Sequence, residues 1–199
     1  FIADLGYETY QKILAEAMQE LRKDEFLELY DNQQAERAQT HDFVDDVLVE
    51  SDLELMFPVN YIPNDAERVA IYREMDNMES ETQIMDFMKR MEDRFGRIPP
   101  QGRELIRIVR LRRIAKSLGI EKVVLKNGQM TLFLISDAES PYYTSPVFDQ
   151  LLDFVQKQPR RCRLQEKGNK RSVVVSGVET VETAVALLEE IGKDQITKS

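Results

Sequence analysis

The sequence predicts an α+β domain in which an antiparallel sheet, built from two hairpins and an N-terminal strand, packs against about five helices. Two dipeptides indicate the hairpins, because Asn127-Gly128 and Gly168-Asn169 each lie between short β-prone runs and such pairs favour tight turns. Three consecutive segments with helical spacing of apolar residues precede the first hairpin. Strands and helices do not alternate regularly, so the class is α+β rather than α/β.

A separate lead-in helix is predicted within residues 1–27. Apolar residues recur there at helical spacing, namely Tyr10, Ile13, Leu14, Ala17, Met18 and Leu21. The adjacent sequence offers no cover for this apolar stripe. Residues 31–41 are polar and lack apolar periodicity, so residues 28–46 are interpreted as a linker and residues 47–199 as the main domain.

One strand and three helices are predicted next. Residues 47–57 alternate well enough for an extended strand, which Pro58 ends. Helices are expected over 65–77, 80–95 and 100–118. The second begins at Ser80 with Gln83 three residues later, which is the spacing of a capping box. The third follows Pro99-Pro100, since proline suits the first position of a helix.

The remaining sequence predicts the two hairpins, each followed by a helix. The expected elements are strands at 123–126 and 130–135, a helix at 146–157, strands at 161–166 and 171–175, and a helix at 179–192. Asn127-Gly128 fits a type I′ turn, because both residues tolerate a positive φ.

Composition restricts the function classes. Of 199 residues, 42% are hydrophobic and 32% are charged, as in ordinary globular proteins. The net charge of −9 disfavours nucleic-acid binding by the chain as a whole and suits docking on a basic protein surface. The apolar runs are too short to cross a membrane, so no membrane partner is expected. The chain starts at Phe1 rather than Met, and we expect a fragment of a longer protein.

Little in the sequence indicates catalysis, and we expect no enzyme activity, cofactor or metal in this fragment. The phosphate-binding patterns GxxxxGK[ST] and GxGxxG are absent. His41 lies alone in the polar stretch, and Cys162 is expected to be a small packed side chain. A hydrolase that uses two of the abundant carboxylates stays an alternative, with acids at Glu79, Glu81, Glu92, Asp93, Glu189 and Glu190.

The third predicted helix carries a basic face. Arg103, Arg107, Arg110 and Arg113 follow one another at steps of three and four, so they share one side of the helix. Such a row can bind phosphates or carboxylates, and its ordinary interpretation is a solvated face paired with neighbouring acids. The methionines are interpreted as gap-filling core residues, at Met75, Met78, Met85, Met88 and Met91.

Several short runs, taken in order, resemble the C-terminal domain of the transcription-repair coupling factors (the Mfd proteins). The runs are Tyr61-Ile62-Pro63 with Arg68 and Tyr72, Asp93-Arg94-Phe95-Gly96 with Pro99, Leu111-Arg112, and Leu118-Gly119-Ile120 with Lys122. The beginning of the chain is similar to the stretch that follows the helicase motor of that family, through Phe1-Ile2, Leu5-Gly6-Tyr7, Tyr10 and Leu14. The resemblance covers nearly the whole chain.

The resemblance implies a cytoplasmic bacterial parent protein that is an ATP-dependent DNA translocase. That protein would displace stalled RNA polymerase and recruit the excision-repair protein UvrA, with ATP and magnesium bound upstream of this chain. The C-terminal domain would dock on the UvrB-like module of the same polypeptide, mask the UvrA-binding surface and restrain the motor. Polymerase and DNA would be contacted through other domains, and residues 1–27 would pack on the second motor lobe.

The resemblance also implies docking residues. In relatives, acidic residues on the helix before the Arg-Phe-Gly turn face arginines of the UvrB-like module. Asp93 matches one such position, and Glu92 is a neighbouring candidate. The other position is Arg90 here, which carries the opposite charge. Two further hypotheses stay open: the basic face at Arg103, Arg107, Arg110 and Arg113 contacts DNA, or the domain is a scaffold for folding the motor.

Overall fold

The computed structural model describes residues 6–7, 9–14, 16–17 and 43–193. The described residues of the lead-in helix, 7, 9–14 and 16–17, are helical. The elements that follow are β1 (Leu48–Ser51), α1 (Asp65–Asp76), α2 (Glu81–Phe95), α3 (Pro100–Ser117), β2 (Ile120–Lys126), β3 (Gln129–Leu134), a 3-10 turn (Pro141–Thr144), α4 (Pro146–Lys157), β4 (Cys162–Lys167), β5 (Lys170–Ser176) and α5 (Val181–Lys193).

The helices begin where their capping residues predict. The Ser80 hydroxyl accepts a hydrogen bond from the Gln83 backbone N–H at 3.3 Å, and the Gln83 side chain accepts one from the Ser80 N–H at 3.0 Å. This reciprocal pair confirms the predicted capping box at the start of α2. Asn64 caps α1 by accepting from the Glu67 N–H at 2.9 Å. Helix α3 begins with Pro100, as predicted.

The described strands form one sheet in the order β1-β2-β3-β5-β4. The two predicted hairpins, β2–β3 and β4–β5, are present, and β3 and β5 join them antiparallel. The prediction of a wholly antiparallel sheet is wrong at one edge, because β1 pairs with β2 in parallel. The three helices between β1 and β2 carry the chain back to the end where β1 began, and such a crossover produces parallel pairing. The sheet is therefore mixed, within the predicted α+β class.

Strand β1 is shorter than predicted. It ends at Ser51, whose hydroxyl accepts a hydrogen bond from the Leu53 N–H at 3.0 Å and turns the chain. The apolar residues that follow leave the sheet and enter the core as irregular structure. Phe57, for example, is buried and stacks on Tyr72 with ring centroids 6.1 Å apart.

Backbone conformation at the two hairpin turns follows the sequence. Asn127 and Gly128 have φ angles of 55° and 66°, so the predicted type I′ turn, which needs a positive φ at both residues, is confirmed. In the second hairpin only the first turn residue, Gly168, has a positive φ, at 60°. This pattern is the one a type II′ turn requires of its glycine.

The hydrophobic core lies on one side of the sheet. Val123, Leu132 and Val173 point into it, and α3 crosses it with Leu105 and Ile108. Of the methionines, Met75, Met78 and Met91 are buried and Met88 packs against the core, whereas Met85 is 64% exposed. Within the described part of the chain, no helix has the length and apolar character needed to cross a bilayer.

Candidate functional site

Helix α2 has one buried side and one open side. Ile84, Phe87 and Met91 are buried. The opposite side, which we call the α2 face, is exposed and consists of Met85, Asp86, Lys89, Arg90 and Asp93. These positions are three, four, seven or eight residues apart for the most part, so they form one continuous stripe.

The carboxylates of the α2 face are available to a partner. Neither Asp86 nor Asp93 has a side-chain hydrogen bond or ion pair with any described residue. Arg90, where the resemblance led us to expect an acid, forms an ion pair with Glu74 of α1. Glu92 lies at the edge of the face, with an oxygen 3.9 Å from a nitrogen of Arg103.

Residues of the runs that resemble relatives hold the C-terminal end of α2. The Tyr61 hydroxyl donates to the Gly96 carbonyl at 2.9 Å and lies 3.3 Å from the Met91 carbonyl. Burial, with a smaller contribution from Glu92, raises the pKa of Tyr61, so it stays a neutral donor. Arg94 pairs with Glu67 and also covers the Phe95 ring at 5.1 Å. The position of Asp93 is therefore fixed by contacts on both sides of it.

The four arginines predicted as a basic face all lie near carboxylates. Arg110 pairs with Glu81 of α2, with an Nε–Oε2 distance of 3.0 Å, and Arg113 lies 3.9 Å from the same carboxylate. Arg103 lies 3.9 Å from Glu92. This arrangement matches the interpretation of a paired, partly solvated face.

Arg107 sits at the junction of α3 and α5. It lies 2.7 Å from Glu104 and 3.2 Å from Glu182. Glu104 also accepts a hydrogen bond from the Val181 N–H at 2.6 Å, where α5 begins. The arginine row therefore helps to join α2, α3 and α5.

A polar cluster that the sequence did not predict ties the lead-in helix to the domain. We call it the anchor cluster: Tyr7, Gln11, Asp46, Asp76 and Arg112. Tyr7 donates its hydroxyl hydrogen to Asp76, and Gln11 donates to the same Asp76 oxygen at 2.8 Å. Arg112 donates to Asp76 at 2.7 Å and to Asp46 at 2.6 Å.

Burial and neighbouring groups together determine the charge states of Tyr7 and Arg112 in the anchor cluster. Burial raises the pKa of Tyr7 far above its ordinary range, so the phenol stays protonated. Burial alone would lower the pKa of Arg112, but Tyr7, Asp46 and Asp76 outweigh it and the net shift is upward. Arg112 is therefore a permanent cation held between two carboxylates.

The lead-in helix consequently packs on the domain with part of its surface. Tyr7 and Tyr10 are buried there and their rings contact Tyr72, with centroids 5.8 and 5.9 Å apart. Ile13 and Leu14 remain exposed, by 54% and 37%. Tyr7 and Tyr10 of the lead-in helix are therefore in contact with the domain.

The predicted linker lies mostly outside the described residues, which include only 43–46 of it, and His41 lies outside them too. Phe43 contacts Tyr142, with ring centroids 5.4 Å apart, and Asp46 belongs to the anchor cluster. The end of the predicted linker therefore packs on the domain. The division at 1–27, 28–46 and 47–199 stays a prediction.

Among the described residues, no cluster of three or more His, Cys, Asp or Glu side chains could hold a metal ion. Cys162 is buried in β4, and burial raises the pKa of its thiol. A cleft of about 480 Å³ beside the anchor cluster is lined by four carboxylates, Asp45, Asp46, Asp76 and Glu79, and by three cations, Arg112, Arg113 and Lys116.

Comparisons with known proteins agree with the resemblance. Residues 51–145 match the model of the TRCF domain family. Among curated relatives, the transcription-repair-coupling factor of Escherichia coli (strain K12) is 28% identical over 162 residues, which are 80% of this chain and 12% of that protein. The corresponding protein of Rickettsia typhi is 24% identical over 87% of this chain and 14% of its own length. The chain thus spans a small part of the relatives it matches.

A solved structure shows the same fold. It is described as the crystal structure of the C-terminal domain of transcription-repair coupling factor, and it superposes with a TM-score of 0.62 at 13% identity. The match covers 77% of this chain and 96% of the other. The family resemblance and the α+β fold expected from it are therefore confirmed.

Proposed function

We propose that this chain, which carries a TRCF domain and has the fold of the C-terminal domain of transcription-repair coupling factors, is an autoinhibitory docking domain. It binds the UvrB-like module of its own parent protein through the α2 face. The observation that carries the proposal is the pair of unpartnered carboxylates, Asp86 and Asp93, on an exposed stripe that also contains Met85.

The chemistry of the α2 face suits a basic protein surface. Asp86 and Asp93 are seven residues apart, so they lie on the same side of the helix two turns from each other. Free carboxylates at that spacing can each accept paired hydrogen bonds from an arginine of a partner. Met85 adds an adaptable apolar contact, and Glu92 lies at the edge of the same surface.

The positive charge at Arg90 does not oppose this docking. Because Arg90 pairs with Glu74 inside the domain, its charge is largely compensated before any partner arrives. Asp86, one turn earlier, can then take the place of the acid that relatives carry at position 90. We therefore propose Asp93 and Asp86 as the main contacts.

We assign the remaining activities to the parent protein. The parent protein is a cytoplasmic ATP-dependent DNA translocase, and its other modules bind ATP, magnesium, RNA polymerase and DNA. Docking of this domain masks the surface that binds UvrA and restrains the motor. A domain held on the same chain has a high effective concentration, so modest polar contacts suffice and remain breakable.

The alternative, DNA contact through the arginine face, has less support. Arg103, Arg107, Arg110 and Arg113 each lie within 4 Å of a carboxylate. A phosphate would have to displace these acids, which lowers the net gain from the contact.

Charge reversal at Asp93 tests the proposal. We expect Asp93→Lys to weaken binding of this chain to the separately produced UvrB-like module by roughly tenfold or more, or about 1.4 kcal/mol, measured by titration calorimetry. Asp153→Lys is the matched control, because Asp153 is an exposed helical carboxylate on α4 without a described partner. Equal losses for both variants, or none for Asp93→Lys, would contradict docking through α2.

A further inference from the structure

The sheet has a second face, turned away from the helices. Its register aligns Glu50, Val124, Thr131, Val174 and Arg163 in one row across all five strands. Because alternate residues of a strand point to opposite sides, these side chains lie opposite the core residues. We call this surface the outer sheet face.

The hydrophobic cluster that joins the sheet to the helices contains Val123, Leu132 and Val173 but not Val124, Phe133 or Val174. On the outer sheet face, Val124, Thr131 and Phe133 are partly exposed, whereas Ser172 and Val174 are buried. The outer sheet face is thus accessible mainly on β2, β3 and β4.

This face is basic although the chain is acidic. The strand register places five cations on it, Lys122, Lys126, Arg163, Lys167 and Lys170, against one carboxylate, Glu50. The whole chain, by contrast, has a net charge of −9. A locally basic surface on an acidic protein is a candidate site for a polyanion.

Some of these cations are not neutralised within the domain. Glu50 lies 2.7 Å from Lys122 and 3.3 Å from Lys126, and its hydrogen bond with Lys122 lowers the pKa of the carboxyl group. Arg163, Lys167 and Lys170 are exposed and have no acidic partner among the described residues.

The cations form two rows with an uncharged strip between them. One row lies on β2, and the other lies on β4, about 14 Å away at three strand spacings, with Lys170 of β5 at two spacings, or about 10 Å. Thr131, Phe133, Ser172 and Val174 lie between the rows. The Phe133 ring is half-buried, and the Lys122 ammonium lies 5.7 Å from its centroid.

We propose that the outer sheet face binds single-stranded nucleic acid. The phosphates contact the two basic rows, and an unpaired base stacks on Phe133. A sheet face with a central, partly exposed aromatic ring and basic borders suits this ligand, because stacking needs a base that is not already stacked in a duplex.

Fluorescence anisotropy of this chain with a labelled 12-nucleotide thymidine strand tests the proposal. We expect Arg163→Glu with Lys170→Glu to weaken binding by roughly tenfold or more at low salt, and to reduce the slope of log K against log salt by about 1.4. Phe133→Leu removes the ring and keeps an apolar side chain, so we expect a loss of about fivefold with little change in slope. Glu50→Gln should strengthen binding.

The matched control is Arg97→Glu with Lys157→Glu, which changes the net charge equally at exposed positions outside the sheet. Circular dichroism checks that each variant is folded. If Arg163→Glu with Lys170→Glu unfolds the sheet, the changes in binding by the milder variants Phe133→Leu and Glu50→Gln test the proposal instead. The proposal is overturned by absence of binding to the wild-type chain, or by equal losses in the control. Tighter binding of a duplex of the same length, or of polyglutamate, would also overturn it.

Discussion

At the scale of single residues, Tyr7 and Arg112 carry the most unusual chemistry. A phenol and a guanidinium share one oxygen of Asp76 in a site that is largely removed from solvent. Arg112 lies 105 positions from Tyr7 in the sequence, so the cluster closes a long loop. Removal of one partner from such a cluster strongly destabilises the folded state, because it leaves a buried polar group without its hydrogen bond.

Tyr7→Phe tests the anchor cluster. We expect a loss of about 1–3 kcal/mol in the free energy of unfolding at neutral pH, because Asp76 loses a buried donor. Folding raises the pKa of Tyr7, so its contribution is complete below the ordinary tyrosine pKa of about 10 and declines as the pH rises above it. The difference in the free energy of unfolding between the wild type and Tyr7→Phe should therefore become smaller between about pH 10 and pH 11. Urea unfolding at several pH values measures this difference, and a difference that does not change with pH would contradict this account.

Sequence could not have predicted this cluster as a unit. Tyr7 and Arg112 both belong to runs that resemble relatives, and the lead-in stripe showed that a cover was needed. The partners lie 69 and 105 positions apart, however, and periodicity reports only neighbours within a few turns. The sequence predicted an apolar stripe without a cover, and of its described members only Tyr10 is buried, whereas Ile13, Leu14 and Ala17 are exposed.

At the scale of elements, α3 is the central support of the helical layer. It contacts α5, β1 and β2, and its start lies against the irregular segment after β1. Gly102 makes that approach possible, because a Cβ there would lie 2.8 Å from the Phe57 ring and 3.1 Å from Ile98. The glycine is thus needed for packing rather than for backbone conformation.

Gly102→Ala should destabilise the domain even though alanine is the better helix former. The propensity gain of about 1 kcal/mol is opposed by an overpacking cost of about 1–3 kcal/mol. Gly192→Ala is the matched control, because Gly192 is also helical and has open space at its Cβ. Thermal unfolding should give a lower Tm for Gly102→Ala than for the control. A rise in Tm for both variants would show that Phe57 yields without cost.

Element bounds were predictable where local chemistry decides them. The Ser80 capping box, Pro100 and the Asn127-Gly128 turn each act within four residues, and the structure has them as expected. Strand β1 was not predictable in the same way. Its direction depends on a crossover of three helices, and the apolar alternation after Ser51 reflects contacts with the core rather than pairing in the sheet.

At the scale of the whole molecule, the two proposed surfaces lie on different layers. The α2 face belongs to the helical layer and carries two unpartnered carboxylates beside Lys89 and Arg90, whereas the outer sheet face carries most of its charge as lysine and arginine. Docking on a protein through α2 therefore leaves the sheet open. The anchor cluster is a third feature of the molecule, because it joins the lead-in helix to the domain.

This arrangement suits a tethered mask. If the domain docks as proposed, its covalent attachment to the parent protein gives an effective concentration that supplies affinity beyond that of the few polar contacts. Release then requires only a modest competing free energy. The choice of Asp93 as a proposed docking residue rests on the family resemblance, whereas the lack of a partner at Asp86 and the internal pairing of Arg90 needed the structure.

UvrA binding by the parent protein, with and without residues 42–199 of this chain, is the most direct test of the central claim. If the domain is a mask, its removal strengthens UvrA binding by tenfold or more, which corresponds to about 1.4 kcal/mol of released inhibition. Unchanged UvrA binding by a shortened protein that remains folded would contradict the masking function.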